Sequence, residues 1–203
     1  MSDLLLPQTG DDNARFKRVI RAAEELFKRD GFRAVTMERV AQQASVAKAT
    51  LYGHFRNKDE LYLAVCARMA GLLRRAVEQA LAQPEAPLDM RLGEAVIAKH
   101  RMVFALVRGS AHAAELFSAK DAMAGDIFAD LDAAILKLLA EAMAGDAQLA
   151  SGAAGLARAL YFGSADLASR SATATEMENE LRQFAAVHLA GARALAGKEW
   201  RHE

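Results

Sequence analysis

The chain has 203 residues, of which 53% are hydrophobic and three are proline, and its formal net charge is zero. This length allows one large domain or two small ones with a sizeable buried core, and the low proline content favours an all-helical protein. The single cysteine excludes an intrachain disulfide, and no apolar run approaches the ~18 residues of a membrane-spanning helix. Because the N-terminus also lacks the basic region of a signal peptide, we expect a cytoplasmic protein.

The neutral total conceals an uneven distribution of charge. Residues 14–60 contain eleven Lys or Arg and six Asp or Glu, a net charge of +5, whereas residues 61–203 contain fifteen and seventeen, a net charge of −2. A basic segment ahead of a slightly acidic remainder is typical of a protein whose first part contacts phosphates. The sequence therefore predicts a flexible arm (1–13), a basic head suited to phosphate contact (14–60) and a larger body (61–203).

The first predicted elements are the arm and two helices. Proline, glycine and several Asp or Asn residues in the first thirteen positions do not support a helix. From Ala14 onward, apolar residues recur with the period of one helical face, and Gly31 can adopt the left-handed conformation that ends a helix. Thr36 is then placed to cap a short second helix.

A turn and two further helices complete the N-terminal region. Ser45 lies in the turn, and a short third helix is predicted from about Ala47 to His54. Asn57 is placed to cap a long fourth helix, with Glu60 three residues later as in a capping box. Two short helices joined by a tight turn can lay a helix in the major groove of DNA, so this region predicts a helix-turn-helix.

The remainder of the chain predicts helices only. After prolines at positions 84 and 87, helices are expected over about residues 88–108, 111–117, 118–144, 153–169 and 175–196. Ser118 and Thr175 each precede an acidic residue by three positions, and we expect both to open their helices through capping boxes. No two-residue β-strand period is visible. The sequence therefore predicts an all-α fold of about nine helices, in which a three-helix head precedes a larger helical body.

The residues around the third helix form a specific pattern. Between Ala41 and Leu61 the chain reads A-x-x-A-x-V and then K-x-T-L-Y-x-H-F-x-x-K-D-E-L. Within residues 15–65 this combination resembles the N-terminal domain of TetR-type (tetracycline-repressor-like) transcriptional regulators. Two residues depart from that family's pattern: Ser45 stands where glycine is usual, and Ala47 stands where a capping serine or threonine is frequent. Both departures suggest a head that is soft before DNA orders it.

The resemblance implies DNA contacts for side chains around the third helix. The positions that touch phosphates or base edges in the family are here Thr36, Lys48, Thr50, Tyr52, His54 and Lys58. The spacing agrees, because Leu51 and Phe55 lie one turn apart and should face the core, which turns their neighbours outward. Structural interpretations stay open as well: Tyr52 could shield the core, His54 could pack between the third and fourth helices, and Thr36 could act mainly as a helix cap. The two lysines could be ordinary solvated charges.

The resemblance also implies a homodimer, because one small head reads only a few base pairs. Its interface is expected on the last two helices, at Leu156, Leu160, Gly163, Leu167, Leu181, Phe184, His188 and Leu189. These residues form apolar stripes with small residues that let helices approach closely. The alternative is that the stripes only close the core of the single chain.

A ligand cavity in the body is implied by the resemblance as well. The candidates are Met69, Leu73, His100, Val103, Phe104, Val107, His112, Phe117, Phe128, Leu131 and Tyr161. Since few of them carry charge, a small hydrophobic or aromatic effector is expected. The alternative interpretation of such a Met- and Phe-rich set is ordinary core.

These observations favour a repressor that a small, largely apolar ligand releases from a palindromic operator. A DNA-binding structural or accessory protein without an effector is the alternative, and the sequence does not encode whether regulation is negative or positive. Enzyme motifs and metal-binding cysteine pairs are absent from the sequence, so neither enzymatic activity nor a cofactor is expected. His112 and Glu115, three residues apart, form only a weak metal-binding pattern.

Overall fold

The structure is a computed structural model that describes residues 10–109 and 123–196. Those residues form eight α-helices, one short 3-10 helix (Ala150–Gly152) and no β-strand, so the all-α prediction is confirmed. The helices are α1 (Gly10–Asp30), α2 (Met37–Gln43), α3 (Lys48–His54), α4 (Lys58–Leu81), α5 (Leu88–Gly109), α6 (Gly125–Ala144), α7 (Ala153–Arg170) and α8 (Ala174–Leu195). The helix predicted over residues 111–117 lies outside the described residues.

The described residues divide into two compact units. The N-terminal unit consists of the described residues up to Ala70 and the described residues within Leu106–Ile127. The C-terminal unit consists of Gly71–Ala105 and the described residues from Phe128 onward. Helix α4 supplies residues to both units. None of the described helices has the combination of length and apolar composition that crossing a lipid bilayer demands.

Helix α1 begins earlier than the sequence indicated. Residues 10–13 were predicted to belong to a loose arm, and that prediction is wrong because they form the first turn of α1. Asp12 places negative charge in the first turn of the helix, where the helix dipole favours it. The other end is as predicted: Gly31 has φ 79° and its N–H donates to the carbonyl of Phe27 over 3.1 Å.

The core of the N-terminal unit is built from large side chains of α1, α3 and α4. Phe27, Leu51, Phe55 and Leu61 are each fully buried. The ring of Tyr62 contacts that of Phe27 edge-on, with centroids 5.9 Å apart. Burying one such side chain stabilises the fold by roughly 1.5–3 kcal/mol, so this small cluster holds three helices together.

The C-terminal unit is held by the inner faces of α7 and α8. The buried stripe of α8 consists of Met177, Leu181, Ala185 and Leu189. The predicted capping box at Thr175 is wrong, because the cap of α8 is Thr173, two residues earlier. The Thr173 side chain accepts from the N–H of Glu176 over 3.1 Å, and Glu176 accepts from the N–H of Thr173 in return.

Helix α6 begins at Gly125, later than the predicted start at Ser118. Ser118 itself and its proposed capping box lie outside the described residues. At its other end, α6 is followed by a turn in which Asp146 accepts from the N–H of Gln148 over 2.9 Å. Arg193 of α8 donates to the same carboxylate over 2.8 Å, which fixes this turn against the last helix.

Candidate nucleic-acid interface

Helix α2 opens with a side-chain cap, whereas α3 does not. The Thr36 hydroxyl oxygen accepts from the N–H of Arg39 over 3.3 Å, so the predicted cap of α2 is confirmed. Ala47 precedes α3 in an extended conformation and offers no side-chain hydrogen bond. A missing cap costs roughly 1 kcal/mol, so α3 depends on packing for its stability.

The turn between α2 and α3 closes as a Schellman motif. The N–H of Val46 donates to the carbonyl of Ala41 over 3.0 Å, and the N–H of Ser45 donates to that of Gln42 over 3.1 Å. This motif needs a left-handed residue, which is usually glycine. Here Ser45 takes that conformation with φ 53°, so the departure predicted from the sequence is a point of backbone strain.

Helix α3 buries one side and exposes the other. Leu51 and the following Phe55 anchor it in the core. Ala49 and Gly53 are exposed on the outer side, and Tyr52 between them leaves 45% of its surface in solvent. An exposed tyrosine of this kind presents both a ring face and a hydroxyl to a partner. Thr50 is half-buried beside it.

An ion pair joins the two helices of the helix-turn-helix. Lys48, the first residue of α3, places its Nζ 2.9 Å from Oε1 of Glu38 in α2. The Lys48 ammonium holds the pKa of the Glu38 carboxyl below its usual range, and Glu38 raises the pKa of Lys48. This role of Glu38 has no signal in the sequence, because the two residues are ten positions apart and only the turn brings them together.

His54, at the end of α3, faces α1 rather than the exposed side of α3. Its ring lies edge-on to Phe16 with centroids 5.7 Å apart, and its Nε2 is 3.5 Å from Oδ1 of Asp12. His54 is thus a packing residue, but against α1 rather than between the third and fourth helices. A DNA contact by His54 stays a prediction.

Lys58, at the start of α4, braces the loop between α1 and α2. Its Nζ donates to the carbonyls of Phe32 and Arg33 over 2.8 and 3.3 Å and lies 4.5 Å from the centre of the Phe32 ring. An ammonium has three N–H donors, so one remains for a phosphate after these two bonds. Its DNA contact also stays a prediction.

A polar cleft of about 350 Å³ lies between α1 and α2. It is lined by Leu26, Arg29, Arg39, Gln42 and Gln43. Both arginines bind Asp30, Arg29 over 2.9 Å and Arg39 over 2.6 Å. The bond from Arg29 is the main reason that the pKa of Asp30 is lowered. One carboxylate therefore offsets part of the positive charge of this cleft.

The residues predicted to line a ligand cavity are found in different settings. Leu73, His100, Leu131 and Tyr161 are buried. The residues that are partly accessible are Met69, Val103, Phe104 and Phe128. His112 and Phe117, together with Glu115 of the weak metal pattern, lie outside the described residues, as does the side chain of Val107. Among the described residues, no three potential metal ligands are grouped closely enough to hold an ion.

A hydrogen-bonded polar cluster lies inside the C-terminal unit. His100 Nε2 is 3.0 Å from the Ser164 hydroxyl, which donates to the carbonyl of Tyr161 over 2.7 Å. The Tyr161 hydroxyl donates to Asp132, and Lys99 lies over the Tyr161 ring. Burial, followed by the charge of Lys99, lowers the pKa of His100 to about 3. His100 is therefore neutral at physiological pH.

An open groove of about 520 Å³ runs between α4 and α5 in the C-terminal unit. Its lining includes Ala76, Ala80, Met90, Arg91 and Ala98. Arg91 donates to the carbonyl of Leu81 over 3.1 Å, while its Nε is a buried donor without a hydrogen-bond partner in the described part of the chain. None of the predicted cavity residues whose side chains the structure describes lines this groove.

The predicted dimer stripe needs correction at three positions. Leu160, Leu181 and Leu189 are fully buried within the single chain, so they have no surface for a partner subunit. The remaining members of the stripe are partly accessible: Leu156, Gly163, Leu167, Phe184 and His188. The hydrophobic period marked the face that closes the core, and the partly accessible residues lie at its margin.

The ring of Phe184 packs so closely over Gly163 that a Cβ on that glycine would lie only 2.7 Å from the ring. His188 Nε2 is 3.0 Å from the carbonyl of Leu156. The most exposed large apolar side chains on these two helices are Phe162, Val187 and Leu195. Phe162 and Val187 lie on the opposite helical faces from the buried stripes, so the search for apolar stripes did not identify them.

Sequence comparisons place the N-terminal region in a known family. Residues 19–65 match the family model described as bacterial regulatory proteins, tetR family. A transcriptional activator of Mycolicibacterium smegmatis, FasR, is 44% identical over 64 residues, which are 32% of this chain and 29% of that protein. An HTH-type regulator of Bacillus subtilis, YhgD, is 30% identical over 93 residues, 46% and 44% of the two chains. The aligned segments thus span less than half of these relatives.

Solved structures extend the similarity to the whole fold. A TetR-like transcriptional regulator from Rhodococcus sp. RHA1 superposes with a TM-score of 0.62 at 23% identity, covering 92% of this chain and 99% of that one. A TetR-family regulator from Mesorhizobium loti superposes with a TM-score of 0.70 at 18% identity, covering 91% and 98%. At these identities the likeness concerns the fold.

Proposed function

We propose that this chain, which belongs to the TetR-type family of transcriptional regulators, represses transcription as a homodimer on a palindromic operator and is released by a small, largely apolar ligand. The observation that carries the proposal is the two-sided character of α3. Leu51 and Phe55 fix one side in the core, while Lys48 and Tyr52 are left exposed on the other. A short helix with this exposure is suited to the major groove.

The proposed DNA contacts divide into two kinds. Lys48, Thr50 and Tyr52 lie on the first turns of α3, the part of a recognition helix that reaches base edges. Thr36 and Lys58 lie at the starts of α2 and α4, and helix N-termini favour phosphate. Phosphate contacts set the register and base contacts set the sequence. The DNA-binding head proposed here is residues 14–60.

The proposed homodimer uses the outer faces of α7 and α8. Val187 leaves 64% of its surface exposed, Phe162 leaves 51% and Leu195 leaves 44%. Exposed large apolar side chains on two packed helices support an interface there. Two heads then bind half-sites roughly 34–36 Å apart, one helical turn of DNA.

The proposed effector binds the C-terminal unit. Its aliphatic and aromatic side chains, including the partly accessible Val103, Phe104 and Phe128, support an apolar ligand. Weakening operator affinity tenfold requires the ligand to favour the released state by about 1.4 kcal/mol, and nearly complete switching requires about 5 kcal/mol. Helix α4, which supplies residues to both units, is the proposed route of coupling.

A regulator without an effector is the second candidate, and one observation favours it. The side chains of His100 and Ser164 bind each other, Ser164 binds the backbone and the Tyr161 hydroxyl binds Asp132, as in a closed core. A panel of apolar compounds distinguishes the two candidates. An effector raises the melting temperature and weakens operator binding in a gel shift, whereas a protein without an effector shows neither change.

The DNA-binding part is tested by selecting bound fragments from a random duplex library. We expect a short palindrome, and the combined replacements Lys48→Ala, Thr50→Ala and Tyr52→Ala should weaken its binding by at least about 100-fold. Lys137→Ala serves as control, because Lys137 is an exposed lysine of α6. An unchanged affinity of the triple variant would refute the assignment of α3. A reporter gene downstream of the palindrome then decides between repression and activation.

A further inference from the structure

Glu38 places a carboxylate where the proposed recognition helix begins. It pairs with Lys48 over 2.9 Å, yet the Lys48 and Glu38 side chains remain 60% and 50% exposed. Both therefore face solvent at the junction of α2 and α3. Lys48 is the first residue of α3, the end of a recognition helix that contacts base edges.

A carboxylate at this position is unfavourable on most DNA sequences. Phosphates repel the carboxylate, and it loses hydrogen bonds to water when it enters the groove. This unfavourable free energy is offset only where a base amino group donates a hydrogen bond to the carboxylate. In the major groove these donors are N4 of cytosine and N6 of adenine.

The ion pair with Lys48 favours cytosine over adenine as the base that donates to Glu38. Glu38 offers an acceptor directly beside the donor of Lys48, and a C·G pair offers the complement, the cytosine amino group beside the guanine O6. Lysine contacts guanine at O6 and N7, and glutamate accepts from cytosine N4. A T·A pair also places an amino group, adenine N6, beside an acceptor, thymine O4, but there the thymine methyl group flanks the oxygen that the Lys48 ammonium would bind.

We propose that Glu38 and Lys48 together read one C·G base pair in each half-site, with Glu38 accepting from the cytosine amino group and Lys48 donating to guanine. This inference rests on the proposed DNA-binding function and deepens it. Glu38 thereby acts as a specificity-determining residue that disfavours DNA lacking a cytosine at that place. Discrimination arises as much from repelling wrong sequences as from binding the right one.

The test compares the wild type with Glu38→Gln in the same library selection. Glutamine keeps the size of the side chain but removes its charge, and it pairs well with adenine. We expect the wild type to enrich cytosine at one position of each half-site. Glu38→Gln should reduce that preference at least about tenfold and bind random duplex more tightly than the wild type. Glu141→Gln, an exposed carboxylate of α6, is the matched control and should leave every preference unchanged.

The outcomes separate this inference from the proposed function. If the wild type selects no sequence, the proposed function fails. If the wild type selects a palindrome and Glu38→Gln selects it with the same base preferences, the role of Glu38 is refuted. If Glu38→Gln binds no DNA, Lys48→Met should lose preference at the same cytosine position, and a loss at any other position overturns the inference.

Discussion

Replacing Ser45 by glycine should stabilise the protein, because this residue holds the left-handed position of the turn between α2 and α3. The left-handed conformation destabilises the folded state by roughly 1–2 kcal/mol for a residue with a Cβ. Glycine avoids this strain, but its more flexible unfolded chain offsets about 0.5–1 kcal/mol of the gain. Since Ser45 is exposed, few contacts are lost, and the net gain should be about 0.5–1 kcal/mol.

Urea unfolding followed by circular dichroism measures this gain, and a thermal scan should show an increase in Tm of about 1–4 °C. Hydrogen exchange at the Val46 amide reports on the turn itself, since that N–H closes the motif. Gly31→Ala is the reversed control: it adds a Cβ at φ 79° and should cost about 1 kcal/mol or more. A Ser45→Gly protein no more stable than the wild type, beside a destabilised Gly31→Ala protein, would refute the strain assigned to the serine.

Three other results are expected. Because the pKa of His100 is lowered to about 3 from 6.5, the unfolded chain binds a proton between these values that the folded chain does not. Stability should therefore fall below pH 6.5 by up to about 1.4 kcal/mol per pH unit from this residue. His100→Gln should be less sensitive to acid in urea titrations from pH 7.5 to 4.5, and parallel curves would contradict this. Thr173→Ala should cost about 1 kcal/mol of unfolding free energy, while Thr175→Ala should cost little; equal losses would reject the observed capping box. Val187→Glu should raise the dimer dissociation constant at least about tenfold in sedimentation equilibrium, and an unaltered constant would exclude this face from the interface.

Local signals in the sequence were enough to define most helices. Helix α5 was predicted over residues 88–108 and spans Leu88–Gly109, and α7 was predicted over 153–169 and spans Ala153–Arg170. Prolines and glycines at the ends of these segments leave little choice of boundary. The N-terminal capping signals of α2 and α4 were equally specific, since Asn57 accepts from the N–H of Glu60 over 2.8 Å.

Where two local signals compete, the sequence does not decide between them. Thr173 and Thr175 both precede a glutamate by three residues, and only the folded chain selects the first pair. Glu178, left out of the cap, binds Arg101 of α5 over 2.8 Å, and this long-range bond favours the observed choice.

Helical periodicity also does not distinguish surfaces that tertiary contacts define. It identified the stripe containing Leu181 and Leu189, but a period alone cannot separate the core of one chain from a contact between two. The pairing of Glu38 with Lys48 depends on the left-handed turn between them, which no spacing rule encodes. The assignment of the stripe to the core and the pairing of Glu38 with Lys48 therefore follow from the folded structure and not from the sequence pattern.

Gly53 gives this regulator room for evolutionary change. A Cβ built at this position meets no atom within 4 Å, although the residue lies on the exposed side of α3 next to Tyr52. A Cβ can therefore be added there without displacing the rest of the head, and most residues other than proline would also favour the helix over glycine. If α3 is the recognition helix proposed above, variation at this one position changes the surface offered to the bases while the core of the head stays as it is.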